Sequence, residues 1–108
     1  MTAETVTRRR DPDRFEIGVD GEVAGFSQFV DTATQRIFYH TEIADEFGGR
    51  GLAGTLTRQA LEQTRAEGLR IVPACPYVAR YVIRHDDFVD IIDPVTPEAI
   101  TTLQRLAP

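Results

Sequence analysis

The chain has 108 residues, 42% of them hydrophobic, and a formal net charge of -5, which bounds it to a single domain with one core of ordinary composition. Its acidic balance excludes nucleic acid as the main partner, because phosphate backbones are held by clustered positive charge. No apolar run approaches the roughly 20 residues that span a bilayer, no signal-peptide h-region is visible, and the single Cys75 forms no internal disulfide, so a cytoplasmic protein with no membrane partner is expected.

Residues 1–13 are polar and carry the basic run Arg8-Arg9-Arg10, closely followed by Asp11 and Asp13. They are expected to be a flexible segment preceding one domain over 14–108. Phe15, Ile17 and Val19 then alternate with charged or small residues, the two-residue period of a half-buried strand. Asp20-Gly21 is a tight-hairpin signal. A second strand is expected over 22–30, a turn at Asp31-Thr32-Ala33-Thr34, and a third strand over 35–43, rich in aromatic and β-branched residues. In that third strand, simple alternation places Ile37, Tyr39, Thr41 and Ile43 on one face and Phe38, His40 and Glu42 on the other.

The stretch Glu46-Phe47-Gly48-Gly49-Arg50-Gly51-Leu52-Ala53 sets three glycines between this strand and the start of a helix. A helix N-terminus offers unpaired N–H groups and partial positive charge, so anions settle there. Glycine admits positive φ and removes Cβ atoms from the path of a phosphate, and Arg50 could add a forked cationic contact. The same residues also suit a strand-to-helix turn that needs glycine only for its geometry. A P-loop is excluded, since Leu52 follows Gly51 and the chain has no lysine. Gly49-x-Gly51-x-x-Gly54 fits the dinucleotide spacing literally, but no acid stands near residues 70–72 where a ribose partner belongs, and an antiparallel meander precedes the loop.

Leu52, Leu56, Ala60 and Leu61 recur at helical spacing with Arg58, Glu62, Arg65 and Glu67 between them, and Glu67-Gly68 supplies a C-terminal stop. A short apolar strand over 69–72 follows, parallel to the strand over 35–43 because a helix joins them. Pro73-Ala74-Cys75-Pro76 is an irregular corner, with Pro76 opening a helix over 76–84. Asp86-Asp87 breaks it, a last short strand is expected over 88–92, and Thr96-Pro97-Glu98 opens a C-terminal helix through 106. The fold class is therefore α+β: a mixed sheet in which an antiparallel meander is followed by a parallel strand pair, flanked by helices.

This arrangement resembles the GCN5-related N-acetyltransferases, specifically their small single-domain branch, over nearly the whole chain. The superfamily signature runs Arg or Gln, two variable residues, Gly, one variable residue, then Gly or Ala. Gly51 and Ala53 match its last two fixed positions, and Gly48 stands where the Arg or Gln belongs. The small branch shows a His-Thr-Glu-Val-like strand end and a Cys-Pro corner, matched by His40-Thr41-Glu42-Ile43 and Cys75-Pro76-Tyr77-Val78. Where the superfamily commonly places a tyrosine that protonates the departing thiolate, this chain has Ile83, and Tyr81 falls on another face of the helix.

The resemblance implies acetyl-CoA, or another acyl-CoA, bound between the strands over 35–43 and 69–72. Its pantetheine would pair with backbone after Glu42, at Ile43, its pyrophosphate would lie on Gly48, Gly49, Arg50, Gly51, Leu52 and Ala53, and its carbonyl would approach Cys75. It also implies an amine acceptor and no metal. Glu42 is the candidate general base, more basic if partly buried, or else a structural partner of an arginine or of His40. His40 is a proton relay or a structural group. Cys75 is an acyl-accepting nucleophile, aided by the helix that follows it, or a small buried thiol. His85 caps a helix, and Tyr77 and Tyr81 form core or pocket wall. Two functions are carried forward: an acetyltransferase acting on a small amine or lysine side chain, and an acyl-CoA-binding module with little catalysis. The size suits a monomer or simple homodimer.

Overall fold

In the computed structural model, which describes residues 3–108, the alternating segment forms strand β2 (Arg14–Val19), antiparallel to β3 (Glu22–Asp31), which is antiparallel to β4 (Gln35–Ile43). Asp20 and Gly21 both take positive φ, 51° and 88°, as a two-residue turn matched to strand twist requires. The meander is thus the one expected. It gains a strand at its edge, because β1 (Glu4–Arg9) pairs antiparallel with β2 in the register Val6 to Ile17. This corrects the expectation of a flexible segment over 1–13, whose first two positions lie outside the described residues. An edge strand with Val6 as its one apolar residue carries no hydrophobic alternation to read, and the β-branched run Thr5-Val6-Thr7 was its remaining signal.

Helix α1 (Leu52–Ala66) leads from β4 to β5 (Arg70–Pro73), which pairs parallel with β4. Gly68, at φ 75°, turns the chain out of the helix; its N–H meets the Arg65 carbonyl and that of Leu69 meets Thr64, which satisfies carbonyls the helix end leaves free. The sheet order is β1-β2-β3-β4-β5. Helices α1 and α2 (Pro76–Arg84) cover one face over Phe15, Ile17, Phe29, Phe38, Leu56, Leu61 and Val78. Helix α3 (Pro97–Leu106) covers part of the other through Ala99 and Leu103, against Val30, Ile37 and Val72. Each large apolar side chain so enclosed contributes about 1.5–3 kcal/mol. Thr96 caps α3 as expected, accepting the Ala99 N–H at 3.1 Å.

The strand expected over 88–92 is instead a 3-10 turn, Asp86–Ile91, and only Ile92 reaches the sheet, through one parallel bridge to Ile71. Arg65 of α1 holds this turn. Its guanidinium donates to the Asp90 carboxylate at 2.8 and 2.9 Å and to the Asp87 carbonyl at 2.7 Å, bonds a flat strand could not offer from one side.

One irregularity positions everything that follows. Phe38 lies opposite Phe29, but His40 lies opposite Gln28, so Tyr39 is an extra residue and β4 bulges there. Alternation restarts on the opposite phase. Phe38, Thr41 and Ile43 therefore face α1 and α2, with Phe38 and Ile43 in that core and Thr41 bonded to Cys75. Ile37 and Tyr39 pack on the α3 side, and His40 and Glu42 emerge on that outer face. The faces expected from simple alternation are corrected accordingly, while the adjacency of His40 and Glu42 stands.

Candidate functional site

Pairing between β4 and β5 runs from Gln35 opposite Arg70 to Phe38 opposite Pro73 and then stops. The Cys75 N–H closes the apex by donating to the Phe38 carbonyl at 2.7 Å, and α2 carries the chain away. Beyond that point β4 continues to Ile43 with β3 on one side and a cleft on the other. Such an unpaired strand edge is a template for an extended partner.

At the open end of the cleft a short 3-10 turn, Asp45–Phe47, leads into the glycines. Gly49 and Gly51 have φ of 77° and 72°, values that β-carbon-bearing residues rarely take. The space beside both is open, since a Cβ on either would meet no atom within 4 Å. Gly51 is the N-cap of α1 and no side chain caps that end, so the first-turn N–H groups of Leu52, Ala53 and Gly54 point outward without internal acceptors. A depression of about 200 Å³ gathers Ile43, Gly48, Gly49, Arg50, Gly51, Leu52 and Ala53, together with Phe47 and Tyr77. The candidate cofactor-binding residues are thus brought to one place.

A larger groove of about 410 Å³ continues from Gly51 and Gly54 between α1 and α2, lined by Arg58, Arg80, Arg84, His85, Tyr77 and Tyr81 among others. Sequence reading passed over this cationic lining. Its signal was the four-residue interval between Arg80 and Arg84, one face of a helix. The His85 ring stacks on Tyr81 at 4.2 Å with planes 11° apart, and its Nδ1 lies 3.2 Å from the Tyr81 carbonyl, the capping place expected for it. Burial raises the Tyr81 phenol above its ordinary range, with a smaller opposing pull from Arg58. Ile83, in the position the resemblance assigns to the tyrosine acid, is 82% exposed and lines neither cavity.

The candidate catalytic residues divide between the two faces of β4. His40 Nε2 lies 3.2 Å from Glu42 Oε1, and the side chains are 49% and 60% exposed. The partial burial that would make Glu42 more basic is therefore not found. The His40 ring packs against Phe26, with centroids 5.8 Å apart. Cys75 lies on the other face, 2% exposed. Its thiol donates to Thr41 Oγ1 at 3.4 Å, and Thr41 Oγ1 is 3.0 Å from Ser27 Oγ. Neither hydroxyl was singled out from sequence, because regular alternation would have turned Thr41 away from the thiol. Among the described residues no group of three or more His, Cys, Asp or Glu has the spacing to hold a metal ion.

A family model described as GCN5-related N-acetyl-transferase matches residues 14–91. No curated protein matches the chain. The matched span takes in the meander, the glycine loop, α1, the parallel strand and the Cys75 corner, the elements that build the cleft, and the chain belongs to the GCN5-related N-acetyltransferase family.

Proposed function

We propose that the protein is an acyl-CoA-dependent N-acetyltransferase of the small single-domain kind, acting on a primary amine of a small molecule or a lysine side chain. The observation that carries this reading is the free edge of β4 beyond Phe38, which opens beside an uncapped helix N-terminus. The residues fit the cofactor: an extended arm has backbone partners up to Ile43, a pyrophosphate has the loop N–H groups, and the remaining phosphate charge has Arg58, Arg80 and Arg84. Acetyl-CoA, when bound, supplies an activated thioester.

The chain's own groups then have divided tasks. Glu42 takes the proton of the incoming ammonium on the outer face, and His40, within hydrogen-bond reach, passes it to water. Cys75 lies on the inner face with its thiol bonded to Thr41. Buried as it is, it suits proton donation into the cleft better than nucleophilic attack, so direct transfer to the amine is the favoured route.

A specific observation supports a second reading, a CoA-binding module with little catalysis: the exposed Ile83 leaves the family's acid position empty of acid. Incubation with acetyl-CoA and polyamines, amino acids or lysine peptides, following thiol release, separates the two. Glu42→Gln is expected to lower the rate about 10²–10⁴-fold while calorimetric acetyl-CoA binding is retained. Binding without turnover by any amine favours the module, and absence of binding overturns both. Because the chain has no lysine, a stable acyl mass increase lost in Cys75→Ala would mark the nucleophilic route instead.

A further inference from the structure

Three side chains from three elements meet beneath the cleft: Ser27 of β3, Thr41 of β4 and Cys75 at the start of α2. Ser27 is fully buried and forms with Thr41 a cross-strand hydroxyl pair, since the two residues stand opposite in the ladder. The thiol is the third member. We propose that Thr41, backed by Ser27, is the positioning residue of the Cys75 thiol and keeps it hydrogen-bonded in both of its protonation states.

The argument is one of donors and acceptors. A buried thiolate in an apolar corner loses its hydration and is disfavoured. A hydroxyl has one rotatable donor and two acceptor sites, so two in series reverse direction without breaking. With the thiol protonated, S–H donates to Thr41 Oγ1 and the Thr41 O–H turns to Ser27. With the thiol ionised, the Ser27 O–H donates to Thr41 and the Thr41 O–H turns to Sγ. No proton travels along the pair; the one lost by Sγ goes to the departing CoA thiolate in the reaction proposed above, and to hydroxide in a titration. The β-branched Thr41 side chain has restricted χ1 freedom in a strand, which keeps Oγ1 in place. Among the described residues no charged side chain bonds to the thiol: His40 and Glu42 of β4 turn to the opposite face, Arg70 of β5 is bound to Asp93, and Tyr77 and Tyr81 of α2 are the titratable groups sharing its core. The hydroxyl pair is thus the polar support on hand.

The use of this thiol in acyl transfer rests on the function proposed above, but its ionisation does not, so the two fail separately. With a single cysteine in the chain, thiolate absorbance corrected by a Cys75→Ala control reports this group alone. At about pH 8.5, where an ordinary thiol is half ionised, the isosteric Thr41→Val is expected to lower the ratio of thiolate to thiol about tenfold, the worth of one hydrogen bond to a charged group. Thr41→Ser is expected to restore it. A titration of Thr41→Val that overlays the wild type overturns the proposal, as does failure of Thr41→Ser to restore the ratio. Should Thr41→Val not fold, Ser27→Ala decides: a smaller fall in the same direction supports the pair, and an unchanged titration overturns it.

Discussion

Arg36 is the largest of the fully buried side chains, and it shows how far a residue's environment departs from its type. Its guanidinium bonds Asp31 at 2.8 and 2.9 Å and Glu67 at 3.0 and 3.1 Å and lies over the Phe29 ring at 4.4 Å. Burial alone would lower its pKa, but the bonds to Asp31 and Glu67 outweigh burial and raise it. The Arg36 bond in turn holds the Glu67 carboxyl below its ordinary range. A carboxyl with depressed folded pKa contributes stability above its unfolded value and loses it as pH falls through the folded one. Replacing Arg36 with Met leaves the two carboxylates with the longer contacts from Arg8, 3.7 Å to Asp31 and 3.3 Å to Glu67, and urea denaturation is expected to show a loss of about 1–3 kcal/mol. Sequence gave no sign of this pair, because Arg36 and Glu67 are joined only by the fold. His40 beside Glu42, and Cys75 before the helix-opening Pro76, were legible because strand period and proline chemistry are local. Thr41 and Ser27 were not, because their meeting depends on one extra residue in a ladder.

At the scale of elements, regular periods read well and irregularities read poorly. Helix α1, the hairpin at Asp20-Gly21, the parallel β5 and the capped α3 each follow from a local pattern. The 3-10 turn at Asp86–Ile91 does not, since it includes apolar, β-branched residues like those of a strand yet is held by Arg65, a cation more than twenty positions away. The end of β4 depends on a further irregularity. Gly25 lies opposite Ile43, and a Cβ on it would collide with the Glu42 carbonyl and the Ile43 side chain. Gly25→Ala is therefore expected to push the strand end outward, costing about 1–3 kcal/mol of stability and weakening acetyl-CoA binding in calorimetry although residue 25 lies on β3. Thr96→Ala, which removes only the α3 cap, is expected to cost about 1 kcal/mol in thermal unfolding and to leave binding unchanged.

At the scale of the molecule, a chain of net charge -5 gathers three arginines around one groove. Arg58 is shared with Glu62 at 3.1 Å, whereas Arg80 and Arg84 make no ion pair among the described residues. Exchanging both for alanine is expected to weaken acetyl-CoA binding at least about tenfold and to flatten its salt dependence, measured by calorimetry at two ionic strengths. The acid limb of stability is set elsewhere. Asp90 is held down to about 2, chiefly by its bond from Arg65, and Asp93 is lowered by Gln35 and then Arg70. These depressed carboxyls contribute above their unfolded values near 3.9 and are lost as pH falls toward about 2. The thermal midpoint is expected to fall across that acidic window, and Asp90→Asn to shallow the fall.

The extra residue in β4 works like a frameshift in a message: every letter after it is kept, but each is read from the other side. Straightening β4 with Tyr39 kept and drawn into the ladder opposite Gln28 would undo that shift. His40 and Glu42 would then be carried under the helices and Thr41 out into water, leaving a chain with all its chemical groups and none of their meanings.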